Sequence, residues 1–490
     1  MNFDADAAYL ALKARDARFD GRLFVGVTST GIYCRPICRV RTPKRENCRF
    51  FATPAQAEAE CFRPCMKCRP EIAPGPGLPW SVMDASRTLA RQAADWLDSR
   101  SASGDAPALS ALAARLGVSD RHLRRIFQAE HGVTPVQYLQ TRRLLMAKQL
   151  LTDTRLPVSQ VALASGFGSL RRFNAAFAES YRMSPSRLRG DAAEDLAGAD
   201  EGIGVTLGFR APYDVARLTR FLAQRAIPGV EEIDGTTIRR SVRAGIVADA
   251  AGWVEARFDP GTCKLSLRFA PEWASASARV VAAVRRWLDL DAAPQTIALA
   301  LASLPGDEGL RLPGSIDAFE LAVRAVLGQQ VTVAAARTLA RRLVEGFGAP
   351  IVTPWETIHR AFPEPQRIAR TPVERIAELG IIRTRANAIV ELARAWPRLS
   401  LHVAHHEAPE TLIGQLCDLP GIGPWTAHYI AMRALGWPDA FLPNDVAVLK
   451  AMKRLFNTTT QREADAVAAA WQPWRSYAVL RLWNSLESSP

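Results

Sequence analysis

The chain has 490 residues, 48% of them apolar, and a mean hydropathy of −0.04, which suits a globular protein of two to four domains rather than one core. No apolar run approaches the roughly 18 residues of a membrane span, and the acidic opening "MNFDADAAYL" lacks a basic n-region, so a cytoplasmic protein with no membrane association is expected, where disulfides are rare. Formal net charge is +13, and residues 1–190 hold 29 Lys+Arg against 16 Asp+Glu while residues 191–490 hold 33 of each, so the whole excess lies in the first part, as in a nucleic-acid binder.

Six of the eight cysteines fall between residues 34 and 68. Cys34 and Cys38 form C-x3-C, and Cys65 and Cys68 form C-x2-C, two close pairs with the spacing of a tetrahedral zinc site. Cys48 and Cys61 also lie in this stretch, and Cys61–Cys65 is itself a C-x3-C pair, so spacing alone leaves the choice of four open. A purely structural zinc site is the plainest reading of such a quartet.

The neighbouring residues say more. "TSTGIYCRPICRVRTPKREN" followed by "CFRPCMKCRP" resembles the metal-binding head of the bacterial adaptive-response regulators of the Ada type, over nearly all of residues 1–72. The resemblance implies one Zn2+ held by Cys34, Cys38, Cys65 and Cys68, with Cys34 irreversibly taking a methyl group from a methylphosphotriester in DNA. Four thiolates around Zn2+ carry a formal charge of −2, and methylating one leaves −1, so the repaired head repels phosphates less. Thr30 is the matched hydroxyl before the site, and Arg35, Arg39, Arg41, Lys44 and Arg45 are expected to hold the backbone.

"EIAPGPGLPW" (71–80) and "GDAAEDLAGADEG" (190–202) read as linkers, the first broken by Pro and Gly, the second small and acidic. Between them, "ALSALAARLGVSDRHLRRIFQAEHG" predicts a helix, a Gly-containing turn and a second helix capped by Ser119. Leu112, Leu116, Leu123 and Phe127 would face the core, and Arg121, His122, Arg124 and Arg125 the outside. The form recurs in "VSQVALASGFGSLRRFNAAFAESYRMSPSRLR", whose second helix bears Ser169, Arg171, Arg172 and Asn174. Joined by the helix "PVQYLQTRRLLMAKQLL", the two units resemble the AraC-type regulator domain, which implies second helices entering successive major grooves.

From Val205 to about Leu304, alternating stretches such as "KLSLRF" mix with helical ones, and an almost wholly helical region follows. In "LCDLPGIGPWTAHYIAMRALG" a helix ends at the turn Pro420–Gly423 and a second begins at Pro424, a helix-hairpin-helix whose exposed amides, including those of Gly421 and Gly423, receive a DNA phosphate. Twenty-two residues past Gly423 stands Asp445. "PYD", "LRLPGSIDAFELAVRAVLGQ", "LPGIGPWTA", "FLPND" and "WQPWRSYAVLRLW" together resemble, in order over about residues 203–485, the 3-methyladenine DNA glycosylase II (AlkA) branch of the helix-hairpin-helix–Gly/Pro–Asp superfamily.

That resemblance implies base flipping, an aromatic pocket of Trp425, Tyr429 and Trp483 that attracts cationic alkylated purines, and Asp445 stabilising an oxocarbenium-like sugar. The family's apolar wedge matches Gln330, a departure that bears on damage preference. The hairpin carbonyls are a seat for a monovalent cation. Trp425 stands where strand-cutting relatives have lysine, and no cysteine set follows Asp445, so neither lyase chemistry nor an iron–sulfur cluster is expected. "HVAHH" (His402–His406) reads as a surface loop, and no "PCHR"-type thiol-transfer motif is present.

The expected fold is multidomain: a small α/β zinc head (1–75), an all-α double helix-turn-helix domain (81–190), an α+β subdomain (203–305) and an all-α helix-hairpin-helix glycosylase (311–487). The partners implied are double-stranded DNA, alkylated and at promoters, and RNA polymerase, with the chain a monomer. The competing readings are a regulator whose carboxyl part only grips DNA, and a glycosylase-lyase for oxidised bases. Asp445 with its aromatic set argues against the first, and the missing lysine against the second.

Overall fold

The computed structural model describes residues 4–75, 85–99, 109–190, 202–306, 308–399 and 409–487. His402–His406 and nearly all of the 190–202 linker lie outside the described residues. The chain forms two compact units, one made of Met1–Ala211, Gly261–Ala282 and Leu290–Ala292, the other of Pro212–Pro260, Ala283–Asp289 and Ala293–Pro490.

The first unit begins with helix α1 (Ala5–Lys13), capped by Asp4, which buries Ala8, Ala11 and Leu12 against Leu23, Val25 and Cys48. A four-stranded sheet of order β3-β1-β2-β4 follows, with β1 Phe24–Val27, β2 Ile32–Cys34, β3 Cys48–Phe51 and β4 Arg63–Pro64. β1 runs antiparallel to β2 and β3, and β2 parallel to β4. A Cβ on Gly26 would meet the Phe51 ring at 2.8 Å and the Phe62 ring at 2.9 Å, so only glycine lets these two rings close over β1. Helix α2 (Pro54–Ala59), capped by Thr53, covers the sheet with Ala55 and Ala57.

Helices α3 (Ala85–Ser99), α4 (Leu109–Arg115), α5 (Asp120–His131), α6 (Pro135–Asp153), α7 (Val158–Ala164), α8 (Leu170–Tyr181) and α9 (Pro185–Gly190) make the double helix-turn-helix region. Leu112, Leu123 and Phe127 are fully buried and Leu116 packs at their edge. Ser119 caps α5 by accepting from the His122 amide at 3.3 Å. Thr134 and Gln137 form a capping box on α6, which joins the two helix pairs. On α8 the rings of Phe173, Phe177 and Tyr181, spaced by four residues, meet at 5.5 Å in a tilted contact and at 4.6 Å edge to face. Burying rings of this size contributes about 2–3 kcal/mol each. The unit also holds strand Ile203–Gly208 antiparallel to Lys264–Phe269.

The head is docked on α6 through buried charge. Lys148 of α6 meets Glu71 at 2.6 Å, both side chains 1% exposed, and Arg69 binds Glu71 at 2.9 Å and Asp153 at 2.6 Å. Glu71 was expected to open the first linker; it sits instead in the short turn Pro70–Ile72, fixed by this network.

In the second unit, helix Val215–Arg225, capped by Asp214, precedes the antiparallel meander Glu231–Asp234, Thr237–Val242 and Gly252–Asp259. A helical layer follows, its core built from Phe319, Val323, Val326, Leu343, Ile389, Leu392, Trp396, Leu416 and Ile430. Helix Ala318–Leu327 is pinned to the meander by ion pairs: Arg240 with Glu320 at 2.5 Å, Arg324 with Glu231 at 2.9 Å, and Arg243 with the capping Asp317 at 2.5 Å. The remaining long helices are Val333–Phe347, Arg383–Ala395, Pro409–Cys417, Pro424–Ala434, Val446–Phe456, Gln461–Ala468 and Arg475–Glu487.

Candidate functional site

Each unit carries a constellation able to do chemistry. In the head, Cys34 ends β2 and Cys38 follows one tight turn later, while Cys65 and Cys68 lie just beyond the neighbouring strand β4. Their four sulfurs lie within 4.8 Å of one another. Tetrahedral Zn–S bonds of about 2.3 Å require sulfur–sulfur separations just under 4 Å, so the set fits Zn2+. The same geometry decides the question left open by spacing: Cys48 turns its sulfur to the Lys44 carbonyl at 3.3 Å and Cys61 is exposed, and neither belongs to the cluster. Hydrogen bonds among the crowded thiols push Cys34 well up and pull Cys38 down to about 7, an uneven sharing of protons that a cation would replace with four thiolates. A small cleft lined by Leu12, Val25, Val27, Val40, Thr42 and Pro43 borders Cys34 and Cys38.

Thr30 is exposed on the β1–β2 turn, its hydroxyl donating to the Val27 carbonyl at 3.3 Å, and Arg39, Arg41 and Lys44 are exposed nearby in the chain. Arg35 does not join them. Its guanidinium is buried against Asp20 (Nε to Oδ1, 2.8 Å) and donates to the Cys68 carbonyl at 3.0 Å, while its amide points at the Cys68 sulfur at 3.3 Å. Burial alone would lower its pKa, but Asp20 outweighs that and holds it charged. Arg35 therefore braces the cysteine loops, joining Asp20 to the backbone and sulfur of Cys68. In the helix-turn-helix region, Arg121, Arg124 and Arg125 of α5 and Arg171, Arg172 and Asn174 of α8 all face outward, Ser169 capping the second helix through the Arg172 amide at 3.2 Å.

In the second unit the hairpin joins helix Pro409–Cys417 to helix Pro424–Ala434. Gly421 adopts φ +80°, and both Gly421 and Gly423 are exposed at the start of the second helix, where backbone amides have no intrahelical acceptor. Trp425, Tyr429 and Arg433 follow at four-residue spacing on one helix face. Trp425 stacks on Tyr429 at 5.1 Å and 8°, and Arg433 donates to the Tyr429 hydroxyl at 2.7 Å. Burial pushes the Tyr429 phenol up, but Arg433 and Arg225 outweigh it and leave it below its ordinary value.

Asp445 is where these elements converge. Asn444 before it takes φ +55°, turning the chain so that Asp445 caps helix Val446–Phe456. Its Oδ1 accepts from the Val448 amide at 2.7 Å and from the Trp483 indole at 3.1 Å, and its Oδ2 from the Trp425 indole at 2.7 Å. At 8% exposure the carboxylate is nearly enclosed by groups that only donate. Gln330 is exposed at φ +54° in the turn after helix Ala318–Leu327, next to Gln329, whose side chain bonds to the hairpin.

Four family models match the chain in succession: the metal-binding domain of Ada over residues 7–71, a helix-turn-helix domain over 112–191, the AlkA N-terminal domain over 204–317, and the HhH-GPD superfamily of base excision DNA repair proteins over 323–476. A Mycobacterium tuberculosis protein named "Probable bifunctional transcriptional activator/DNA repair enzyme AlkA" is 37% identical over 502 residues, covering 99% of this chain and 97% of the relative. The chain belongs to this bifunctional AlkA family. DNA-3-methyladenine glycosylase 2 of Escherichia coli is 36% identical over 279 residues, 57% of this chain and 96% of that one. The bifunctional transcriptional activator/DNA repair enzyme Ada of Escherichia coli is 31% identical over 193 residues, 39% of this chain and 51% of that one.

The chain thus joins a zinc-site head and a helix-turn-helix regulator part to a base-excision glycosylase part. The cysteine quartet lies inside the first matched region, and the hairpin, Trp425 and Asp445 inside the last; Trp483 falls beyond it. Sequence reasoning missed two groups. Arg433 had a signal, its place two turns beyond Trp425 on the pocket face. Gln329, which bonds to the hairpin, had none.

Proposed function

We propose that the carboxyl part is a monofunctional glycosylase that hydrolyses the N-glycosidic bond of alkylated purines of the 3-methyladenine and 7-methylguanine type after flipping them from duplex DNA. The observation that carries this reading is the Asp445 carboxylate held by two indole N–H groups and one amide. Oδ1 already accepts two donors and Oδ2 one, which leaves a lone pair on Oδ2 for the reaction. All three neighbours donate to it, so Asp445 is placed as an acceptor that offers negative charge to the sugar. An N3- or N7-alkylated purine needs no proton to leave, because it is already cationic. As the C1′–N bond breaks, both its electrons go to the base, and Asp445 stabilises the positive sugar. Water then adds to C1′, and its proton passes toward Oδ2.

The stacked Trp425–Tyr429 pair supports recognition of such a base, since an aromatic face attracts a cation. With Trp425 in place of a lysine, no Schiff base forms and the strand stays intact. Gly421 and Gly423 receive a phosphate, Gln330 fills the gap left by the flipped base, and a monovalent cation sits on hairpin carbonyls other than that of Gly421, which Gln329 engages. Asp445→Asn keeps the helix cap but removes the charge, and it is expected to lower release of 3-methyladenine from alkylated duplex by at least about a hundredfold. Unchanged release would leave only a DNA-gripping module.

For the head, the reading is a one-time methyl acceptor. Zn2+ held by Cys34, Cys38, Cys65 and Cys68 keeps the sulfurs as thiolates at neutral pH. The Cys34 sulfur attacks the methyl carbon of a methylphosphotriester; an S–C bond forms, the O–C bond breaks, and the phosphodiester leaves as an anion. The convergence of the four sulfurs supports this assignment. Arg41 and Thr30 hold the backbone, and Arg125, Arg171, Arg172 and Asn174 read promoter DNA for RNA polymerase.

A further inference from the structure

The turn that carries Gln330 and the hairpin that receives a phosphate belong to helices far apart in sequence, yet one side chain joins them. Gln329 Nε2 donates to the Gly421 carbonyl at 2.9 Å and to the Thr426 hydroxyl at 3.0 Å, which uses both of its protons. The Gln329 backbone carbonyl in turn accepts from the Arg385 guanidinium. Arg385 lies on helix Arg383–Ala395, the same helix against which the hairpin is pressed: a Cβ on Gly421 would come within 2.7 Å of the Ala388 Cβ. Thr426 is 3% exposed and directly follows Trp425, the pocket wall that holds Asp445.

We propose that Gln329 is a positioning residue that locks the Gln330 turn to the hairpin and to the Trp425 wall, so that phosphate capture, insertion of Gln330 and enclosure of the flipped base occur as one rigid movement. This rests on the wedge and hairpin assignments made above. Two features favour it. Gln330 holds φ +54°, a left-handed conformation disfavoured for a residue with a Cβ, and such conformations persist only where neighbours over-determine them. The three bonds of Gln329 supply that constraint on the adjoining residue. Glutamine also fits the task uniquely among similar side chains: glutamate lacks the donors, and asparagine is a methylene shorter.

The test uses full-length wild type, Gln329→Met, Gln330→Ala and the double variant, with single-turnover release of 7-methylguanine from a duplex and from a one-nucleotide bulge in which the base already lacks a partner. Gln329→Met is expected to slow release from the duplex roughly 10- to 100-fold, from two lost hydrogen bonds, and to slow release from the bulge less than about threefold. The double variant is expected to match Gln329→Met, since a wedge no longer held in place has nothing further to lose. Multiplying penalties, or equal losses on both substrates, would overturn the proposal by making Gln329 a structural residue only. Should Gln330→Ala alone leave duplex release unchanged while Asp445→Asn abolishes it, the wedge assignment falls and this inference with it, but the glycosylase reading stands. If Gln329→Met does not fold, Gln329→Glu, equal in length and without donors, must give the same pattern.

Discussion

Asp445 caps helix Val446–Phe456 and is also the carboxylate proposed to act on the sugar. The cap uses one lone pair of Oδ1, and that bond, with the two indole N–H groups, fixes the direction of the remaining lone pair on Oδ2. Trp425 is correspondingly more than a stacking surface. Replacing it with phenylalanine keeps an aromatic face and deletes one hydrogen bond to a charged group, worth about 1.5–3 kcal/mol. Trp425→Phe is therefore expected to lower kcat for alkylated purine release about 10- to 100-fold with little change in KM, whereas Trp425→Ala should damage both. Equal effects of the two substitutions on both constants would mean that the indole serves only as a wall.

The same logic, that a buried charge must be matched, governs how elements are joined. Glu71 is buried, which pushes its carboxyl up, but Lys148 and Arg69 outweigh burial and hold it below the ordinary range. A carboxyl so depressed adds stability at neutral pH that is lost as pH falls through its folded pKa. Lys148→Met should cost on the order of 3 kcal/mol at pH 7, read as a lower urea midpoint of the first unit's transition, and the gap to wild type should narrow as pH falls below the ordinary carboxylate range and Glu71 takes a proton. A pH-independent gap would trace the loss to packing. None of this was legible in the sequence, where Glu71 opens a Pro/Gly-rich stretch and Lys148 is one cation among many on a helix. What was legible had local periodicity or spacing behind it: the paired cysteines, the Ser119 cap, the apolar faces of Leu112, Leu123 and Phe127, and the Gly turn of the hairpin. Arg35 was misread for the complementary reason. A run of arginines looks uniformly exposed until the fold supplies Asp20 beneath one of them. Gln329 acts through contacts 92 and 97 residues distant, which no local pattern records.

At the scale of the whole molecule, the positive excess of residues 1–190 and the balanced remainder match a division of labour between holding DNA by its charge and acting on single bases. The two proposed chemistries use separate residues, and the proposed zinc site belongs to the head. Stripping Zn2+ with a chelator is expected to abolish methyl transfer to Cys34 and to lower the stability of the head, while release of 3-methyladenine stays within about twofold, a bound set by the ordinary scatter of distant, independent sites. Loss of both activities together would show that the head supports the glycosylase. The most direct measurement incubates the full-length protein with randomly methylated duplex DNA, identifies the freed bases by chromatography and weighs the Cys34 peptide from the same tube. The account predicts free 3-methyladenine and 7-methylguanine, an intact strand, and one methyl group on Cys34. An unmodified peptide together with no freed purine would contradict it.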